Sequence, residues 1–218
     1  MHSPHIIMKI SRFVFNPFEV NTFVLHDETG CCIIIDPGCI NQNEVGKIVS
    51  FIESSRLHPE YIVLTHGHID HILGVKFICE NYNIKPYIHS SDQFLIDSSQ
   101  NIAKMYGLPY IKSEVEFMFL DTMQYLSFGT SSLKLMHCPG HSPGSVCLYS
   151  ESDKILISGD VLFNGSIGRT DLPGGEYSQL IESIERKLLV LPEDTIVFPG
   201  HYEETSIGKE KKSNPFLR

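Results

Sequence analysis

The sequence predicts an α/β (α+β) fold in which two mixed sheets pack face to face with helices outside. Three observations lead there. Short apolar runs bounded by turn residues occur in both halves of the chain. Segments of helical period interrupt them, and no apolar stretch reaches the roughly 20 residues that span a bilayer. With 218 residues, 42% of them hydrophobic, there is material for a sizeable core, and residues 1–218 are expected to form a single domain.

In chain order, residues 6–15 and 20–25 read as strands. Asp27-Glu28-Thr29-Gly30 then turns the chain into the apolar run Cys31–Ile35. From Asn41 the period changes. Val45, Ile48, Val49 and Ile52 fall at i, i+3, i+4 and i+7 behind Asn41 as cap and Glu44 three residues later, which predicts a helix. Tyr61–Leu64 is a short buried strand running into Thr65-His66-Gly67-His68-Ile69-Asp70-His71, with a second helix to about Tyr82. In the second half Leu133–His137, Ser145–Tyr149 and Lys154–Ser158 read as strands separated by turns. Tyr177, Leu180, Ile181, Ile184 and Leu188 mark an amphipathic helix, and Thr195–Phe198 is the last strand.

Seventeen basic against 26 acidic residues give a net charge of -9 and a pI near 5.6. A surface of that sign repels phosphate backbones, so neither nucleic acid nor a membrane is an expected partner. The N-terminus lacks the pattern of a signal peptide, and a cytoplasmic location is expected, with Met8 as an alternative start to Met1. The six cysteines show no C-x-x-C pair, so reduced thiols are expected. The adjacent Cys31 and Cys32 should point to opposite faces of one strand.

The chemistry gathers at strand ends. His66, His68, Asp70 and His71 follow the strand ending at Leu64. His141 follows Cys138-Pro139-Gly140, Asp160 follows Gly159, and His201 follows Pro199-Gly200. Glycine-bearing turns that each present an imidazole or a carboxylate can converge at one rim of a sheet. Five histidines and two carboxylates suit zinc, iron or manganese better than calcium or magnesium. His66-x-His68 could grip one ion and Asp70 with His71 a neighbouring one. A carboxylate such as Asp160 could bridge the two, about 3.5–4 Å apart, with a hydroxide held between them. His2, His5, His26, His58, His89 and His137 are read as ordinary surface or core histidines. Asp36, in Ile35-Asp36-Pro37-Gly38, is either a turn residue or an acceptor that orients a ligand imidazole.

At these residues the chain resembles the metallo-β-lactamase superfamily, through Thr65–His71 with Gly74 behind it, His141 in Cys138–Ser145, Asp160 after Ser158-Gly159, and His201. The resemblance covers nearly the whole chain and implies an αββα sandwich with two divalent metal ions, zinc foremost, at one edge. It assigns His66, His68 and His141 to one ion and Asp70, His71 and His201 to the other, with Asp160 bridging. β-Lactamases carry Cys or Ser where Asp160 stands, which points away from antibiotic hydrolysis. Leu162–Arg169 resembles the glyoxalase II branch, which cleaves S-acylglutathione thioesters and places a substrate-binding basic residue near Arg169. That branch carries an aromatic two places later, where this chain has Asp171. The chain is most similar to short, single-domain glyoxalase II-like hydrolases, which share Gly168-Arg169-Thr170-Asp171 and Asn214-Pro215-Phe216. The implied activity is thioester hydrolysis on a small anionic substrate, with Asp70 orienting the attacking hydroxide. The main rival is a persulfide dioxygenase holding one iron through His66, His141 and Asp160; a metal-dependent nuclease is a third reading.

Overall fold

A computed structural model describes residues 8–110 and 114–217; Met1, His2 and His5 lie outside them. The first sheet is built in chain order. β1 (Lys9–Phe15), β2 (Val20–His26) and β3 (Cys31–Ile35) pair antiparallel, and β4 (His58–Val63), β5 (Pro86–Ile88) and β6 (Met118–Phe119) add in parallel. Parallel neighbours need crossovers. Here these are α1 (Gln42–Ser54), the pair α2 (Ile69–Ile72) and α3 (Val75–Tyr82), and α4 (Gln93–Tyr106). The second sheet has β7 (Tyr125–Phe128), β8 (Ser131–His137), β9 (Val146–Ser150) and β10 (Ile155–Gly159) in an antiparallel meander. A small ribbon, β11 (Leu162–Phe163) with β12 (Ser166–Ile167), precedes α5 (Tyr177–Ser183), which runs into a π-helical turn. β13 (Ile196–Pro199) then joins β10 in parallel, β14 (Thr205–Ser206) pairs with β13, and α6 (Ile207–Ser213) follows.

The period-two side-chain alternation explains why β3 reads as an unbroken apolar run: both of its faces are buried. Ile33 and Ile35 point between the sheets with Phe23, Leu25, Val63, Leu133, Leu148 and Ile157. Cys32 and Ile34 point outward, where Val45, Ile48 and Ile52 of α1 cover them. Cys31 and Cys32 therefore do face opposite layers, and all six cysteines are free thiols. A third cluster covers the outer face of the second sheet, where Leu180, Ile184, Leu188 and Ile207 meet Cys147, Tyr149, Leu156 and Val197. These are the layers of an αββα sandwich. No helix among the described residues is long and apolar enough to cross a membrane.

Several elements differ from the sequence expectation. The helix expected to run on to Tyr82 is broken at Leu73-Gly74, where the Gly74 amide donates to Pro37 O at 2.7 Å and turns the chain. β5 and β6, of three and two residues, carry too little pattern to be read, and α4 was not anticipated. The Asn41 cap holds, its Oδ1 accepting from Glu44 N at 3.0 Å, but the Glu44 carboxylate accepts from Ile40 N instead of the cap amide.

At one rim, Asp27 ties the sheets together. Its carboxylate is buried and accepts from the Thr29 amide of the β2–β3 turn and from the Thr130 and Ser131 amides of the β7–β8 turn. Burial works against the charge, but the donors on Thr29 and Thr130 outweigh it and draw the carboxyl down to about 2. A lowered carboxyl pKa stabilises the fold above its unfolded value near 3.8, and that contribution disappears as pH falls through about 2. Asp27→Asn is expected to cost about 1–3 kcal/mol at neutral pH. The gap between the thermal midpoints of wild type and variant should close as pH falls from 4 to 2. A gap unchanged at pH 2 would place the stabilisation elsewhere.

Candidate metal centre

All seven sequence-predicted ligand residues meet at one edge of the sandwich, four from the loop after β4 and three from loops of the second sheet. After Leu64 the chain leaves β4, and His66 and His68 flank Gly67 before α2 carries Asp70 and His71. From the opposite sheet come His141 in the β8–β9 connection, Asp160 directly after β10 and His201 directly after β13. Gly200 is required here. A Cβ on it would stand 2.2 Å from Asp160 Oδ1 and 2.8 Å from His71 Cε1.

Two groups of donor atoms are distinguishable. In the first, His141 Nε2 lies 3.2 Å from His66 Nε2 and 2.8 Å from His68 Nδ1. The surrounding hydrogen bonds assign the tautomers. His141 Nδ1 donates to Arg169 O at 2.8 Å, which leaves Nε2 as a lone pair. Thr65 Oγ1 spends its proton on Asp36 Oδ2, so it accepts from His66 Nδ1 at 3.1 Å, and His66 Nε2 is a lone pair as well. Two lone pairs thus face each other without a proton between them. Burial and then the neighbouring imidazoles hold His66 well below its usual range and His68 down to about 3, so neither of these two rings supplies that proton.

The second group is anionic. His71 Nε2 lies 3.5 Å from both Asp70 Oδ2 and Asp160 Oδ1, and His201 Nε2 lies 3.2 Å from Asp70 Oδ2 and 3.5 Å from Asp160 Oδ2. His71 Nδ1 donates to Asp36 Oδ2 and His201 Nδ1 to Phe18 O, both at 3.0 Å, so again the Nε2 atoms face inward. Burial opposes charge on these two imidazoles, yet the carboxylates around them raise both pKa values. A proton there stands in for a cation. Both Asp70 and Asp160 are pulled below the usual carboxylate range, chiefly by His71 against the cost of burial.

Asp160 touches both groups, since its Oδ2 also lies 3.6 Å from His141 Nε2. Five buried side-chain polar atoms among the described residues have no hydrogen-bond partner, and two of them, His71 Nε2 and Asp160 Oδ1, face into the donor groups. Unpaired buried polar atoms are expensive. Inward lone pairs, two carboxylates and orphaned buried atoms together fit divalent cations with nitrogen and oxygen ligands. Asp36 with His66 and His71 is a third close set, but hydrogen bonds to Thr65 and His71 already satisfy its carboxylate. Asp36 is therefore the acceptor that orients an imidazole, held at φ 47° to do so.

Sequence reading missed Asp92. It precedes α4 but does not cap it. Its buried carboxylate accepts from Gly67 N at 2.9 Å, Ser142 Oγ at 2.7 Å and Gly144 N at 2.6 Å, joining the His66–His68 loop to the His141 loop. Gly144 makes room for it, since a Cβ there would fall 2.6 Å from Asp92 Cγ. Its sequence surroundings, Ser90-Ser91-Asp92, carry no motif that marks it. Of the histidines set aside, His137 donates to Pro143 O and stacks on His89 at 4.1 Å, and neither ring joins the metal groups.

Arg169 stands beside the centre. Its carbonyl accepts from His141, while its guanidinium makes two bonds of 2.7 and 2.6 Å to Asp171. Both side chains are mostly exposed, and they line an open cleft of about 360 Å³ with Ile167, Tyr177 and Phe216. A cleft of about 380 Å³ beside Tyr125 and Lys134 has no ligand-type cluster.

Residues 15–201 match the family model of the metallo-beta-lactamase superfamily. The hydroxyacylglutathione hydrolase GloC of Haemophilus influenzae is 35% identical over 96% of this chain and 98% of its own. Among solved structures, the B3 metallo-beta-lactamase BLEG-1 aligns with a TM-score of 0.88 at 36% identity, over 96% of this chain and 99% of that one. TTHA1623 in a di-iron-bound form aligns at 0.85 and 35%, over 95% and 100%.

Proposed function

This chain belongs to the metallo-beta-lactamase superfamily of metallo-hydrolases, and from that premise we propose that it is a glyoxalase II-like thioesterase acting on S-acylglutathione-like substrates. The observation that carries the reading is Asp160, whose two oxygens face His71, His201 and His141 at 3.5–3.6 Å and so address both donor groups. His66, His68 and His141 would hold one ion; Asp70, His71 and His201 would hold the second, with Asp160 between them. Zinc heads the candidates, and the di-iron form of TTHA1623 keeps iron among them. When bound, such ions supply Lewis acidity toward a carbonyl and lower the pKa of water.

The chain's own groups do the rest. Asp36 and Phe18 O keep the His71 and His201 rings turned so that Nε2 faces inward, and Arg169 O does the same for His141. Asp70 accepts a hydrogen bond from the attacking hydroxide, a water whose proton has passed to solvent, and orients its oxygen as it bonds to the thioester carbon. The C–S bond then breaks and the thiolate leaves toward the Arg169 cleft. An exposed ion pair such as Arg169–Asp171 contributes little to stability, so a substrate carboxylate can compete for the guanidinium.

Metal analysis joined to substrate assays tests the reading. Close to two equivalents of zinc, iron or manganese, with turnover of S-lactoylglutathione, is the expected result. One tightly held iron with oxygen consumption on glutathione persulfide would replace it with the dioxygenase. The likeness to BLEG-1 makes β-lactam hydrolysis the second reading, and turnover of a β-lactam without turnover of thioester would establish it.

A further inference from the structure

Tyr202 follows the last ligand residue with φ 63° and a side chain 68% exposed. The left-handed region is unfavourable for a bulky residue. The other non-glycine residues found there among the described ones are Asn16, Glu19, Asp36, Arg56, Asn83 and Lys154, all polar. The conformation is enforced from below. Asn21 Nδ2 donates to Pro199 O and Tyr202 O, both at 2.9 Å, and the Asn21 amide donates to Gly200 O at 2.7 Å. Backbone strain held this firmly beside a reactive centre is a place to look for function, because an exposed ring does not repay it through the core.

The ring lies edge-on to buried Phe163 at 5.8 Å and 6.2 Å from the His201 imidazole, and so forms a wall beside the second donor group. From there the rim continues through Phe18, whose carbonyl holds His201 and whose ring meets Tyr106 edge-on at 5.4 Å. Arg169 and Tyr202 thus stand beside His141 and His201 respectively, the two imidazoles that Asp160 Oδ2 faces.

We infer that Tyr202 is a specificity-determining residue that packs on the acyl arm of the substrate and selects flat, apolar acyl groups over small hydroxyacyl ones. This rests on the thioesterase reading, which sends the thiol arm to Arg169 and leaves the acyl arm facing Tyr202. A ring supported by Phe163 offers an offset-stacking or edge contact to an aryl group and nothing comparable to a lactoyl group.

The test compares kcat/KM for S-benzoylglutathione and S-lactoylglutathione in metal-loaded wild type, Tyr202→Phe and Tyr202→Gly. The benzoyl-to-lactoyl ratio is expected to fall about three- to tenfold in Tyr202→Gly and to survive in Tyr202→Phe. Metal content should not change. The thermal midpoint of Tyr202→Gly should be no lower than that of wild type, because glycine adopts this φ without strain. An unchanged ratio in Tyr202→Gly, with thioesters still cleaved, overturns the assignment of Tyr202 and leaves the thioesterase standing. A wild type that cleaves neither thioester overturns both. A lower midpoint with an unchanged ratio makes Tyr202 a packing residue only.

Discussion

Replacing Asp160 by asparagine is expected to release at least one metal ion and to reduce thioester turnover by roughly a hundredfold or more. Changing a residue that merely supports a ligand already costs about 10–100-fold, and Asp160 faces the imidazoles of both groups directly. The amide keeps the size but loses the charge that offsets two cations and one of two good oxygen donors. Because bound metal contributes folding free energy, the midpoint of the metal-loaded protein should fall, and added metal should restore it only in part. Asp70→Asn should be milder for folding, since Asp70 faces only His71 and His201. Metal stoichiometry and melting of the two variants decide the matter. Full metal and full turnover in Asp160→Asn would sink the bridging role.

Asp92→Ala should be the most damaging change outside the ligands. It leaves the Gly67 and Gly144 amides and the Ser142 hydroxyl buried without their acceptor. Unsatisfied groups of this kind cost about 1–3 kcal/mol each. A total of about 3–5 kcal/mol corresponds to a fall of roughly 10 °C in the thermal midpoint for a chain of this size. The loops it joins carry His66, His68 and His141, so affinity at that triad should drop about 10–100-fold while the Asp70–His71–His201 set is less affected. Chelator competition on the milder Asp92→Asn separates this from simple unfolding. Unchanged affinity at both positions in a folded Asp92→Asn would reduce Asp92 to a structural tie.

The seven-residue cluster was legible because each member follows an apolar run through a short turn, and such runs are the strongest local signal in a chain. The two-sheet arrangement followed from the same runs. What stayed hidden depends on contacts distant in sequence. Asp92 reaches Gly144, and no local pattern marks a side chain turned away from the helix it precedes. Asp36 could not be separated from a turn residue until His71 was placed against it. The short strand β5 pairs on the edge that β4 offers, and β6 on the edge of β5. Arg169 was found as a residue, but its pairing with Asp171 could be seen only in three dimensions.

The two donor groups draw on both sheets: the loop after β4 supplies half of the cage, and His141, Asp160 and His201 supply the rest. The first half of the chain therefore holds residues of both donor groups without the partner that completes either one. His201 is placed by β13, which pairs in parallel with β10. Divalent ions held by both donor groups would therefore join residues of the two sheets, across the sandwich at the rim opposite Asp27. A chelator that removed such ions would leave the two halves to part at this edge first.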